Sequence, residues 1–369
     1  MPFGLWRKHT SHWTESKELK ILGFSCKNAM PKPYSPSMND FRIENPGAPA
    51  ARASTVAFLS LIPPLNVVAS VALCTLFTAL SAEASSLSSG SRRQNAQLST
   101  PALHPGDIIF TDSEAAVLKL DVLTGLTSPV VVGGSLVRPC GLALGADQTI
   151  YVADTGSLAI IAIDPATGQT KVLASGQELG VPYGVAVNGD GEIIVANAQA
   201  ILGINPADGT VRTVSAGGVL KAPLGVAAAP TGELYVADAG GLVVRIDSTS
   251  GAQTIVSTGE NIITPVSIAV RDQKTIYISD ASARRIIQID PRNGAQTVVS
   301  GEGALASPFG LVVWGKHDLL VGDPDAFDLA GGIIHIDLHS GGQTPLAIGS
   351  GNFVNYRCVA VVPDNPSQP

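Results

Sequence analysis

Residues 149–168, TIYVADTGSLAIIAIDPATG, return as ELYVADAGGLVVRIDSTSG at 233–251 and as TIYISDASARRIIQIDPRNG at 275–294. The residue that closes each such "YVAD" is Asp112, Asp154, Asn197, Asp238, Asp280 or Asp323, at intervals of 42, 43, 41, 42 and 43. Two more landmarks keep the period. One is P-x-G-[VL]-A, as in PCGLAL (139), PYGVAV (182), PLGVAA (223), PVSIAV (265) and PFGLVV (308). The other is IDP-x-x-G at Asp164, Asn205, Asp247 and Asp290, with looser forms at Asp121 and Asp337. A unit of this size cannot bury its apolar face alone, so copies must stack on one another.

Each unit reads as four short strands, such as GLALG, TIYVAD, AIIAID and TKVLAS, joined by turns rich in Gly, Asp and Pro. The apolar spacing of 3.6 that helices need is missing. A period near 42 with four strands matches a propeller blade. The fold class expected is therefore all-β, a six-bladed β-propeller of four-stranded blades. Gly141/Ala143, Gly184/Ala186 and Gly225/Ala227 are small where blades crowd the axis. The first unit, DIIFTDSEAAVLKLDVLTG, lacks an innermost strand, and YRCVAVVP at 356–363 is an innermost strand with nothing after it. The C-terminal strand is expected to complete the N-terminal blade, which leaves no free sheet edge.

The expected organisation is an N-terminal extension and signal peptide over 1–84, a linker over 85–104, the propeller over 105–364 and a tail over 365–369. Residues 67–80 form a 14-residue apolar run, with Arg42 and Arg52 upstream and a small-x-small site at Ala82–Ala84. That pattern describes export with cleavage, to a periplasmic or secreted location. The alternative is a membrane anchor over 55–80, which Pro63, Pro64 and Asn66 interrupt. The stretch before it is long for a basic flank, so Met30 or Met38 is an alternative start. Cys74, preceded by Leu73, does not fit a lipid-attachment site. From Ser85 onward, 15 Lys and Arg stand against 25 Asp and Glu. An acidic chain without basic–aromatic patches argues against nucleic acid as a partner and against membrane insertion of the propeller. A monomer is expected.

The motif P-x-G-V-A-V…G-x-I-Y-V-A-D…I-x-x-I-D resembles the NHL-repeat propellers, and more widely the streptogramin-lyase-like and gluconolactonase-like propellers, over about 105–364. The resemblance implies the architecture and is weak on activity, because this shape serves lyases, lactonases, sensors and scaffolds. NHL units carry an Asn and an Arg after the "AD"; here only Arg284 or Arg285 matches. The acidic "EGP" strand of gluconolactonase-like enzymes is missing. The His/Glu cluster of streptogramin lyases finds no match either, since His335 and His339 fall on the third strand and its turn, away from the axial mouth.

A ring of carboxylates at Asp112, Asp154, Asp238, Asp280 and Asp323 could bind a divalent cation. Its recurrence in every blade favours turn structure instead, and Asn197 belongs to the same structural set. Function is expected where blades differ. The insertion DPDAFDLAGG (323–332) holds Asp323, Asp325 and Asp328, part of a calcium-loop pattern without its glycine and terminal Glu. Arg357, Tyr183 and Phe309, with Arg284 and Arg285, are candidate ligand-binding residues of a mouth suited to an anionic or aromatic ligand. Cys140 and Cys358 are offset by one residue on neighbouring innermost strands, which allows a disulfide at the closure. The leading functional expectation is a binding or scaffold module for a protein or small ligand, with no cofactor. The alternative is a metal-dependent hydrolase (a lactonase) or lyase using calcium or zinc.

Overall fold

The computed structural model describes residues 103–349 and 356–363. The expected signal peptide or anchor, Cys26, Cys74, most of the linker and the tail lie outside the described residues. Among the described residues, no helix is long and apolar enough to cross a membrane.

Six four-stranded antiparallel sheets make up the fold. Blade two is typical. Its innermost strand Pro139–Leu144 pairs with Ile150–Asp154, which pairs with Ala159–Ile163, which pairs with Thr170–Ser175. Blades three to six repeat this order from innermost strands Pro182–Val187, Pro223–Ala228, Pro265–Asp272 and Gly310–Trp314. Blade one takes its innermost strand, Tyr356–Val361, from the far end of the chain, with Phe110 opposite Val359. The closure expected from the two incomplete ends is therefore present.

The burial pattern explains the sequence pattern. Second strands such as Ile150–Asp154 and Ile193–Asn197 are buried along their whole length. They have a neighbouring blade on each face, so they read as continuous apolar runs. Outermost strands such as Thr170–Ser175 bury little.

The core is six separate apolar clusters, one in each seam between blades. Ile109, Val117, Val152 and Ile161 join blades one and two. Phe110, Leu118, Leu320 and Ile333 join blades six and one. At roughly 1.5–3 kcal/mol per large apolar side chain buried, the seams are the main source of cohesion.

Two steric details hold the blades at this spacing. A Cβ on Gly184 would lie 2.5 Å from the Leu224 carbonyl oxygen, and one on Gly225 would lie 2.6 Å from that of Val266. The axial glycines are therefore close-approach residues. On the opposite edge, Gly251 has φ +71° and a Cβ there would lie 2.5 Å from the Val214 carbonyl oxygen. Gly209, Gly251, Gly294 and Gly341 of the IDP-x-x-G turns thus both turn the chain and touch the preceding blade.

Candidate functional site

The repeated acidic residue ends each second strand at the edge where the innermost strand begins, which we call the mouth face. Asp154 accepts backbone N–H bonds from Val137 (2.8 Å), Arg138 (3.0 Å), Gly156 (2.9 Å) and Ser157 (2.8 Å). Asp238 accepts from Lys221, Ala222 and Gly240. Asp280 accepts from Ile263, Thr264 and Ala283. Asp323 accepts from Ala306, Ser307 and Asp325. Each carboxylate ties the loop entering its blade to the turn leaving the second strand. Asn197 manages the same task with one bond reversed: its amide donates to the Leu179 carbonyl, and its Oδ1 accepts from Gln199 and Ala200. The oxygens that could have faced a cation are engaged by the backbone. On the opposite face, Asp164, Asp247 and Asp337 accept from their own turns, and these bonds hold all three below the usual carboxylate range.

Asp112 departs from this pattern. Its Oδ1 accepts from the Glu114 N–H at 2.7 Å, while Oδ2 is buried with no hydrogen-bond partner. Burial raises its pKa from 3.8 to about 6, against the opposing pull of the Glu114 N–H and of Arg357. The folded value exceeds the unfolded one, so the native state binds the extra proton. The stability this proton confers is complete below about 4 and is lost as pH rises through about 6. Wild type is therefore expected to gain about 1 kcal/mol over Asp112→Asn between pH 7.5 and pH 5. Urea unfolding at the two pH values measures this, and equal pH slopes would refute it.

Residues near the start of each innermost strand meet at the axis. Cys140, Tyr183, Leu224, Val266, Phe309 and Cys358 line one small cavity of about 30 Å³. That is room for a water or two, not for a substrate. The Arg357 guanidinium lies 5.5 Å from the Phe309 ring centroid, and its Nε is buried without a hydrogen-bond partner. Burial pushes the Tyr183 hydroxyl up. Tyr183 and Phe309 thus meet at the axial cavity, and Arg357 lies beside the Phe309 ring.

Arg284 and Arg285 do not join them. Arg284 is exposed in the turn after the second strand of blade five, and Arg285 opens the third strand and donates to Asn261 at 3.4 Å. The turn follows Asp280 on the mouth face, but it lies outside the axial strands and these side chains do not line the cavity. The blade-six insertion also fails to converge. Asp323 is consumed by backbone N–H groups, Asp325 is half-buried, and Asp328 is exposed in a turn where Phe327 and Asp328 take left-handed φ. Among the described residues, no group of three or more His, Cys, Asp or Glu is placed to hold a metal ion.

Cys140 and Cys358 are free thiols whose side chains meet. The hydrogen bond between them pulls Cys140 down and pushes Cys358 well up. Thr111 ties the same seam: its hydroxyl donates to the Cys140 carbonyl at 2.7 Å and accepts from the Cys358 N–H at 3.1 Å. Ser279 does likewise for blades five and six through the Phe309 carbonyl. The departure from Ala to Thr or Ser just before the ring Asp was the available sequence signal. A second set of ties was also missed. Gln253, Gln296 and Gln343, which open outermost strands, bond Ser215, Ser257 and Ser300 of the preceding blade. His335 bonds Asp318 at 2.6 Å and meets Trp314 edge-on, away from the mouth as expected.

Six antiparallel blades closed by strands from both chain ends define a six-bladed β-propeller. The family model described as outer membrane protein assembly factor BamB matches residues 138–343, and the chain belongs to that family. Among solved structures, it is similar to a chain of the nidogen/laminin complex, with 18% identity and a TM-score of 0.61. The match covers 70% of this chain and 99% of that one. It is also similar to streptogramin B lyase, with 16% identity and a TM-score of 0.54, over 70% of this chain and 88% of that one. These two likenesses show the fold alone. No curated protein matches.

Proposed function

We propose that this propeller is a binding module that presents its mouth face to a protein partner. What carries the reading is the apolar rim. Val132, Val137, Leu158, Ile263, Leu329 and Ile348 are all exposed. All six lie at the edge where the ring Asp residues end their strands. Leu158 (φ 54°) and Leu329 (φ 68°) are held in left-handed turns. Blade four puts Gly241 in the position that Leu158 occupies in blade two. A bulky exposed residue at positive φ costs stability, and such costs concentrate at functional surfaces. Exposed apolar side chains grouped on one loop face suit a protein interface. The nidogen/laminin complex supports the reading by analogy, since a propeller-like chain there is found in a protein complex.

The test compares three forms of the full chain in affinity capture, followed by direct binding to the purified captured protein. Leu158→Glu/Leu329→Glu is expected to weaken binding at least ten-fold. Leu123→Glu, an exposed change on the opposite face, is expected to leave it within two-fold. A partner held equally by all three would overturn the reading. The metal-dependent hydrolase or lyase reading has against it the carboxylates of Asp154, Asp238, Asp280 and Asp323, whose oxygens accept backbone N–H bonds. A melting temperature lowered by chelator, together with turnover of lactones or esters, would restore it.

We also propose that Cys140 and Cys358 form a disulfide in an oxidising compartment, clamping the closure blade to blade two. Of the order of 2–5 kcal/mol is expected from such a bond. Two reactive thiols per propeller in unreduced, denatured protein would end the idea.

A further inference from the structure

The face opposite the mouth is built mostly from the Asp-rich turns and is acidic. Blades four and five interrupt it. In blade five the innermost strand, Pro265–Asp272, runs eight residues, where the other innermost strands have five or six. Asp272 pairs with Thr275 across a two-residue turn, so the ladder runs further into this hairpin than in blades two to four, over the same number of residues. Its turn, RDQK, also replaces the Gly- or Asn-containing turns found at this place in blades two to four. The hairpin therefore differs here in pairing and in chemistry.

This hairpin walls a groove of about 770 Å³ against blade four. Arg245 enters it from blade four, and Arg271, Lys274 and Arg292 enter from blade five. Four of the 15 cations that follow Ser85 thus share one groove. Two carboxylates, Glu233 and Asp272, share it with them. The cations are not equally engaged. Arg292 is held by Asp290 through two bonds of 2.9 and 2.6 Å. Arg245 lies 3.4 Å from Glu233, both half-exposed, a pair worth little. Arg271 bonds only the Tyr277 hydroxyl, at 3.2 Å, and is exposed. Lys274 makes no ion pair among the described residues and is exposed.

We propose that this groove binds an acidic, extended peptide segment of a partner protein. Arg271 and Lys274 would pair with its carboxylates, and Pro230, Tyr235 and Pro291 would form the apolar floor under its backbone. Charge complementarity selects the occupant. The surrounding surface repels an acidic segment and this groove attracts it, which concentrates binding at one place. A groove of this volume also accommodates several residues rather than one small anion.

The test uses the full chain and a fluorescent octaglutamate peptide at low ionic strength, read by anisotropy. Binding is expected to weaken at least ten-fold in Arg271→Glu/Lys274→Glu. It is expected to stay within two-fold in Lys171→Glu/Lys221→Glu, which reverses two exposed cations elsewhere. Arg271→Gln/Lys274→Gln repeats the comparison should charge reversal alter the thermal melt, with a smaller loss expected. Raising salt should weaken the wild-type complex. Octaglutamate binding unchanged by the groove variants would overturn the proposal by placing the contact on other cations of the chain. Failure of wild type to bind would overturn it too. So would free citrate binding as tightly as the peptide, since that marks a small-anion site.

Discussion

Gly310→Ala is expected to prevent the ring from closing. A Cβ at this position would lie 2.5 Å from both the Arg357 carbonyl oxygen and the Cys358 Cα, and 3.0 Å from the Val359 nitrogen. These are backbone atoms of the closing strand, so no side chain can swing aside to make room. Ser267 and Cys358 do carry small side chains in the corresponding slot of blades five and one. At Gly310 the closing strand itself would have to withdraw, and its pairing with Ile108–Asp112 would go with it. A loss of about 3 kcal/mol or more is expected, with poor recovery of folded protein. Gly189→Ala is the matched control, because a Cβ there meets nothing within 4 Å and φ is not left-handed. Thermal melting of both variants decides the matter. A Gly310→Ala protein melting within two degrees of wild type would show that the axis has slack that the geometry does not suggest.

The second large effect is expected at Asp238. Its side chain is fully buried and accepts N–H bonds from Lys221 at 2.7 Å, Ala222 at 3.1 Å and Gly240 at 2.8 Å. Alanine leaves these three donors unpaired at a buried position, at about 1–3 kcal/mol each before relaxation. A loss of roughly 3–5 kcal/mol is expected for Asp238→Ala. Asparagine should cost less but not nothing. In blade three the Asn197 amide points at a carbonyl, whereas in blade four the same group would point at an N–H. Asp247→Ala is a fair comparison, since it removes a carboxylate that also accepts N–H bonds, but at an exposed turn. It is expected to cost less than about 1 kcal/mol. Chemical unfolding of the three variants gives the ranking. Equal effects at Asp238 and Asp247 would mean that the mouth-face ring is no more structural than any surface turn.

Much of the fold was legible because the chain states it six times. The acidic residue at each "YVAD" could be assigned to turn structure before any geometry was known, since a group present in every blade serves what every blade needs. Asp154, Asp238, Asp280 and Asp323 each accept N–H bonds from the loop entering the blade and the turn leaving the second strand. The closing strand was legible from two incomplete ends. The site was less so. Tyr183, Phe309 and Arg357 share a slot in the repeat, which predicted their meeting. The nearly filled cavity they enclose depends on side-chain volumes summed across six blades, and no single unit reveals it. Arg284 and Arg285 misled for a related reason. Their position along the repeat gave the correct face but not the distance from the axis. The groove between blades four and five escaped notice because it needs a different turn in one hairpin and cations from two units 26 or more residues apart, Arg245 and Arg271 being the nearest.

The sequence by itself determined the blade count, the strand order and the small residues at the axis, because all of these are local or periodic and follow from the steric and hydrogen-bonding needs of one unit. The tertiary structure alone decided what lies between units. It left Asp112 with an unpaired buried oxygen, brought the Cys140 and Cys358 thiols into contact, filled the axis, and opened a cationic groove in an acidic molecule. Those features depend on the distance and angle between blades, which the packing of all six seams sets together.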